Sequence, residues 1–370
     1  MQFNNLKIFD SQQYKICKSS DYNFIFNKKT GFFVRWGKTL EDDPNYGPSP
    51  EILDIETDSG ECLGNCKFCY KCNGKGAESH NMSLDQFKTI LDKMPKVLTQ
   101  LAIGITNIYS NPDFFAIMEY ARESDFIPNY TTHGLDLDDK AVQRTSELCG
   151  AVAVSVVNKE KTYNAVKKFT DAGMTQCNIH YMLSEETYNR AFKIIDDIKS
   201  DNRLQKMNAI VFLQYKPKGK NPDQFHAISD PSKYKKLVDY CLKKDIAFGF
   251  DSCSAPLFMT SIADIDEDEK KQQFLSMAEP CEAFGMFSSY INCKGYYYPC
   301  SFCEGESDWE DGLDVLNCND FMKDIWFNEK VNKWRQIILQ SSQKCDCEFK
   351  PICRSCPIFS ITSCKEGNQL

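Results

Sequence analysis

The chain has 370 residues, of which 42% are hydrophobic, and its 44 Lys and Arg against 52 Asp and Glu give a formal net charge of −8. That length and apolar content fit one large domain plus a small one, or a single elaborated barrel, and exclude wholesale disorder. The acidic balance and the lack of a long basic run argue against nonspecific nucleic-acid or membrane binding, which needs clustered Lys and Arg.

The opening stretch, MQFNNLKIFDSQQYK, has no apolar segment of signal-peptide length. No apolar run approaches the roughly 20 residues of a bilayer span. A cytoplasmic protein is therefore expected. Residues 1–50 form a polar extension with a hairpin-like piece, YNFIFNKKTGFFVRW, turning at Lys28–Gly31. Residues 51–255 alternate short apolar runs (EILDIET, LTQLAIG, IPNYTT, GAVAVSVV, CNIHYML, AIVFLQY, IAFGF) with amphipathic segments at 83–94, 112–124, 138–149, 161–173 and 184–200. Ser83 and Ser184 read as helix N-caps and Gly173 as a helix stop. Strand–helix alternation predicts parallel βα units, hence an α/β sheet or barrel, and strands this apolar fit burial on both faces. Residues 256–370 break the pattern: a surface helix in IADIDEDEKKQQFLSMAE, a hairpin in MFSSYINCKGYYYPC turning near Lys294–Gly295, and one helical stretch over 320–340.

The nineteen cysteines are bunched. In a long chain without a secretion signal, bunched cysteines point to metal rather than to a disulfide scaffold. Cys62, Cys66 and Cys69 follow the strand EILDIET and precede the first long helix, which in a parallel βα fold puts them at the carboxyl ends of the strands, where active sites form. Gly64 and Asn65 let the backbone wrap a compact object. Thiolates are soft ligands for iron–sulfur clusters or zinc. A zinc knuckle needs a fourth ligand, which Cys72 offers; three thiolates alone suit a cubane cluster with one iron left open.

The string Cys62-Leu-Gly-Asn-Cys66-Lys-Phe68-Cys69 resembles the CxxxCx(aromatic)C signature of radical S-adenosylmethionine (SAM) enzymes, and the alternation over residues 51–250 is similar to that family's partial barrel. The resemblance implies a 4Fe–4S cluster whose open iron is chelated by SAM, Phe68 beside the adenine, and a 5′-deoxyadenosyl radical that takes hydrogen from an unactivated carbon. It also implies a low-potential electron donor such as flavodoxin or ferredoxin. The family's GGEP-like segment is replaced by IGITNIYSNPDF, so Gly104, Thr106 and Asn107 stand where the SAM amino group is held. Ser155 and Asn178, on later strands, are the further SAM-side candidates.

Cys281, thirteen residues, Gly295, four residues and Cys300 resemble the first half of the SPASM/twitch extension, CX9–15GX4C. With Cys353 and Cys356 this makes four soft ligands for one auxiliary cluster. The run Cys345-x-Cys347-x5-Cys353-x2-Cys356-x7-Cys364 departs from the SPASM pattern CX2CX5CX3C at its first and third gaps. A second auxiliary cluster on Cys345, Cys347 and Cys364, with Cys303 as a further candidate, and a zinc site there both stay open. Cys253 and Asp251 end the strand IAFGF at the expected barrel mouth. Cys253 is a candidate hydrogen-atom donor to a substrate radical, and Asp251 a candidate to take a proton or bind a substrate amine; a plain strand-end turn is the alternative. The resemblance implies modification of a peptide or protein side chain, with a small-molecule dehydrogenase or epimerase as the alternative reading. A non-catalytic iron–sulfur or zinc protein would need only closed sites, which the open CxxxCxxC disfavours.

Overall fold

A computed structural model describes residues 5–343 and 345–359. Four antiparallel strands come first: β1 (Lys7–Asp10), β2 (Tyr14–Lys18), β3 (Asn23–Asn27) and β4 (Phe33–Trp36), paired in that order. The expected hairpin is β3–β4, and its turn contains Gly31 at φ +75°, a left-handed conformation that glycine adopts without strain. Arg35 of β4 clamps this sheet to the rest of the chain: its guanidinium donates to Glu51 at 2.8 Å and to Glu282 at 3.0 Å, and lies over the Phe287 ring.

The main sheet contains β5 (Ile52–Glu56), β8 (Gln100–Gly104), β9 (Ile127–Thr132), β10 (Val152–Ser155), β11 (Cys177–Leu183), β12 (Ala209–Gln214) and β13 (Phe248–Phe250), all parallel and adjacent in that order. Between β5 and β8 a two-stranded piece, β6 (Asp58–Ser59) with β7 (His80–Asn81), closes the long cysteine loop. Helices α1 (Leu84–Leu91), α2 (Phe114–Glu123), α3 (Asp139–Leu148), α4 (Lys159–Asp171), α5 (Tyr188–Ser200) and α6 (Pro231–Lys243) alternate with the strands. Their starts have local causes. Ser83 and Gln86 form a reciprocal capping box at α1, and Asp138, Asn158 and Asp230 cap α3, α4 and α6. Gly173, at φ +96°, follows α4 as expected. Ser184 is not the cap of α5: Thr187 occupies that position, because its Oγ1 is already bonded to Ser184 N and Met182 O in a separate turn before the helix.

One face of the strands packs against the helices and is largely apolar. Leu53, Ile55, Leu101, Ile103, Val154, Ile179, Ile210 and Phe212 are buried, alongside helix residues such as Phe87, Ile117, Val166, Phe169 and Ile195. Each such side chain stabilises the fold by about 1.5–3 kcal/mol. Their alternates, Asp54, Ala102, Thr131, Ala153, Ser155, Asn178 and His180, face one internal cavity. Side chains from five successive strands line one space, so the sheet is curved into a partial barrel.

Beyond β13 come α7 (Ala255–Ser261), α8 (Asp268–Leu275), β14 (Ser288–Ile291), β15 (Tyr296–Tyr298), β16 (Leu313–Asp314) and α9 (Glu329–Gln340). Gly295, at φ +84°, turns β14 into β15. β14 pairs parallel with β5, from Ser288↔Ile52 to Ile291↔Ile55, and so extends the main sheet. The stretch 320–340 is not one helix: a π-type turn, Phe321–Trp326, stops before Asn328, whose side chain caps α9 through Lys330 N. Among the described residues no helix is long and apolar enough to cross a membrane.

Lys93, just after α1, donates to the carbonyls of Val315, Leu316 and Cys318 at 2.9, 2.6 and 2.9 Å and ties the barrel to the C-terminal segment. Lys93→Met leaves three carbonyls without this donor. It is expected to cost about 2 kcal/mol, read as a lower thermal midpoint and earlier proteolysis after residue 315; an unchanged midpoint would show the tie to be energetically idle.

Candidate active site

The cysteine loop sits over the carboxyl ends of the barrel strands. Cys62, Cys66 and Cys69 all line the mouth of the internal cavity, while Cys72 is exposed, at φ +58°, and does not line it. Gly64 leaves the space between the thiols open: a Cβ there would lie 3.3 Å from His133 Cδ2, 3.4 Å from Cys62 Sγ and 3.7 Å from Cys66 Sγ. Burial pushes the Cys66 thiol up to about 11, helped by Cys69 and Cys62 beside it, and burial also raises Cys69. Thiols like these ionise when a cation compensates them. Among the described residues no three His, Cys, Asp or Glu side chains converge as ligands of a single metal ion. Three thiols spread around an opening fit a polynuclear cluster, whose irons sit at separate corners.

Two neighbouring loops hold the cysteines. Asn107 accepts from Leu63 N at 2.9 Å, bonds His133 Nε2 at 2.9 Å, and donates to Glu61 O and Ser110 Oγ. Its polar atoms are thus engaged by the cysteine loop, His133 and Ser110. The loop after β12 clasps the other side: Lys220 N donates to Cys69 O at 3.1 Å and Asn221 to Lys67 O at 2.7 Å, and Phe225 meets Phe68 edge-on.

The cavity beneath has a volume of about 770 Å³. Phe68, Gly104, Thr106, Ser155 and Asn178 line it; Asn107 does not. Thr106 donates through both N and Oγ1 to Asp58, whose carboxyl burial pushes up to about 6. The Asn178 carbonyl accepts from Asn208 at 2.9 Å. Asp251 is committed elsewhere: it pairs with Lys216 at 2.7 Å and accepts from Gln214 N, Ser254 N and Ser254 Oγ. Burial would lower Lys216, but Asp251 outweighs it and holds the ammonium above its usual value. Burial depresses His180 to about 4, so the ring is neutral.

Sequence reasoning passed over several cavity residues, Lys216 and Tyr290 among them. Lys71, two places after Cys69, sits 3.3 Å from Glu56, 2.8 Å from Tyr290 Oη and in contact with Glu304. Tyr70 stacks on Phe302 with ring centroids 4.1 Å apart. Asp54 and Glu56 both line the cavity, and burial pushes Asp54 up to about 7. The signal for the two acids was the period-2 spacing in EILDIET, hidden by the overall apolar look of the strand.

A second group of thiols lies behind Phe302. Burial raises Cys253, Cys281 and Cys303, and they lie close enough to Cys300 and Cys356 that a thiolate at either would raise them further. A bond from Cys303 lowers the Cys300 thiol, while burial and that same bond raise Cys303. Cys253, Cys300, Cys303, Cys356, Phe302 and Lys216 surround one small apolar space. Cys253, expected at the open mouth, therefore belongs to this nest. Cys353 packs instead with Cys347 against Ala255, Met259 and Phe349. Cys345 is buried, its N–H bonded to Ser342 O at 3.0 Å. Cys364 lies outside the described residues.

No family model and no curated protein matches the sequence. Solved structures do match. Streptococcus suis SuiB bound to precursor peptide SuiA aligns with a TM-score of 0.70 over 95% of this chain and 95% of that one, at 13% identity. SuiB bound to S-adenosylmethionine aligns at 0.66 with the same coverages and 13% identity. Native anSMEcpe with bound AdoMet and Cp18Cys peptide aligns at 0.58 over 83% of this chain and 89% of that one, at 14% identity. The fold is the partial α/β barrel that these structures share. A cysteine-rich C-terminal region accompanies it.

Gly219 makes the clasp possible. It lies at φ +97°, and a Cβ there would stand 2.2 Å from the Cys69 carbonyl oxygen. Gly219→Ala is expected to cost about 2 kcal/mol in backbone strain and displacement and to speed alkylation of Cys69 in the apoprotein. Wild-type labelling kinetics, followed by peptide mass mapping, would show that the clasp does not hold the loop.

Proposed function

We propose that this chain is a radical SAM enzyme that modifies a side chain of a peptide or protein. The observation that carries this reading is the placement of Cys62, Cys66 and Cys69, with no fourth thiol among the described residues, at the mouth of a large cavity inside a parallel partial barrel. Cys62, Cys66 and Cys69 would hold a 4Fe–4S cluster with one iron open to SAM, and the two together would supply the radical chemistry that removes hydrogen from an unactivated carbon. The chain's own part is to bind and orient. Thr106, Ser155 and Asn178 offer polar groups to SAM on the cavity wall, Phe68 offers an aromatic face, and the barrel keeps water from the reacting carbon. Asn107 acts by positioning, since it joins the cysteine loop to the ends of β8 and β9. A peptide substrate is supported by the fold likeness to SuiB, solved with a precursor peptide, and to anSMEcpe, solved with AdoMet and a peptide.

The donor chemistry of the second nest fits one auxiliary iron–sulfur cluster, with Cys253, Cys281, Cys300 and Cys356 as ligands and Cys303 bonded to Cys300. On this reading Cys253 is a ligand and not a hydrogen-atom donor.

Anaerobically reconstituted protein should cleave SAM when reduced, and the joint change of Cys62, Cys66 and Cys69 to Ala should abolish 5′-deoxyadenosine while leaving the iron of the second nest. Deoxyadenosine from that triple variant would sink the assignment. Separately, Cys253→Ala should lose about one cluster's iron and sulfide and destabilise the C-terminal segment, because ligation is folding energy there; Cys353→Ala should retain both. Full iron in Cys253→Ala would remove it from the ligand set and return it to the role of thiol donor.

A further inference from the structure

The charged groups lining the cavity are two lysines, Lys71 and Lys216, and three carboxylates, Asp54, Glu56 and Asp251. Both lysines are engaged. Lys71 is paired with Glu56 and Glu304, and Lys216 with Asp251. The neutral His180 adds no charge. Asp54 alone is left over: among the described residues its carboxylate makes no hydrogen bond and no ion pair, and only burial shifts it. It projects from the middle of β5, opposite Ala102 on one side and Tyr290 on the other. Neither neighbouring position carries a counter-charge.

While the cavity is open, water can solvate Asp54. A ligand that fills the cavity displaces that water, and a buried carboxylate without a donor is costly. Asp54 must then either take up a proton, towards which burial already raises it to about 7, or receive a donor from the ligand. A cationic nitrogen brings a donor and a counter-charge together, and charge-assisted bonds are the strong ones. SAM has donors in its ribose hydroxyls and adenine amino group, but under the functional reading above its amino group belongs to the open iron and its sulfonium has no N–H, so it brings no donor that is also a counter-charge. We propose that Asp54 is the substrate-recognition residue of the cavity, and that the group it receives is a primary ammonium or a guanidinium on the substrate. The inference rests on the reading of the cavity as a SAM-dependent reaction chamber. It moves to Asp54 the amine-binding role that the sequence pattern offers to Asp251, whose oxygens are taken by Lys216, Gln214 and Ser254.

The test uses the full chain, reconstituted and saturated with SAM, and three probes of one size: n-butylammonium, 1-butanol and butyrate. Competition is followed by ligand-observed NMR. The ammonium should bind at least about tenfold more tightly than the alcohol, with butyrate weakest. Asp54→Asn should bring ammonium and alcohol level, and Asp54→Glu should restore part of the preference, an outcome that a purely structural role would not produce. Thermal midpoints close to wild type will show both variants folded. Equal binding of ammonium and alcohol by wild type would overturn the proposal. So would an ammonium preference that survives in Asp54→Asn, or a loss of SAM affinity in that variant with no amine selectivity in wild type. The functional reading fails through SAM cleavage and this inference through amine selectivity, so the two failures are told apart.

Discussion

The pairing of β14 with β5 fixes the arrangement of everything chemical in this molecule. It joins Ser288–Ile291 to Ile52–Ile55 in parallel, across more than half the chain. Through it Tyr290 comes level with Asp54, and its hydroxyl reaches Glu56 at 3.1 Å. Through it, too, the hairpin carrying Cys300 and Cys303 is set behind the cavity wall and not out in solvent. Had the C-terminal segment docked elsewhere, the thiol nest would be an independent module. Docked here, it shares side chains with the barrel.

The shared side chains are buried cations, and that is a costly choice. Lys71 and Lys216 both pay desolvation and both recover it from carboxylates held on other elements: Glu56 and Glu304 for the first, Asp251 for the second. Such pairs seldom add much net stability over well-packed apolar residues, yet breaking one leaves an uncompensated charge inside. Each pair therefore acts as a geometric lock. Glu304 lies just beyond Cys303 and Lys71 just beyond Cys69, so the first lock joins the two cysteine loops directly. Lys216 lines both the large cavity and the small thiol-lined space, so the second joins the two chambers.

Much of this was legible in the sequence, where the signals are local. The βα alternation follows from apolar runs separated by amphipathic segments and caps. The three-cysteine loop follows from its spacing, and the Gly295 hairpin from a glycine between strand-like runs. What stayed hidden is non-local. Nothing in SSYI announces a parallel partner at ILDI, because parallel pairing leaves no turn to read. Cys253 looked like a strand-end thiol because its companions, Cys281, Cys300 and Cys356, approach it only after α7, α8 and the hairpin have folded back. The 320–340 stretch has helical periodicity throughout, and only the capping preference of Asn328 divides it. Asp54 was concealed in another way. A strand judged apolar as a whole does have period-2 acids, and their meaning depends on whether the inner face meets a core or a cavity.

The wall between the two cysteine groups shows why they are best treated as one site. Tyr70 follows Cys69, and Phe302 lies between Cys300 and Cys303. Their rings stack at 25° with centroids 4.1 Å apart, and the Lys216 ammonium sits 4.5 Å over Phe302. Packed interiors transmit displacement because they have few voids to absorb it. The Cys69 loop and the Cys300–Cys303 turn thus share one packed wall, which also carries Lys216 and its partner Asp251. The sequence keeps aromatic residues at 70 and 302, immediately beside the cysteines. An aromatic stack is flat and stiff, with only two side-chain torsions per residue, so it separates the chambers while holding them in fixed register.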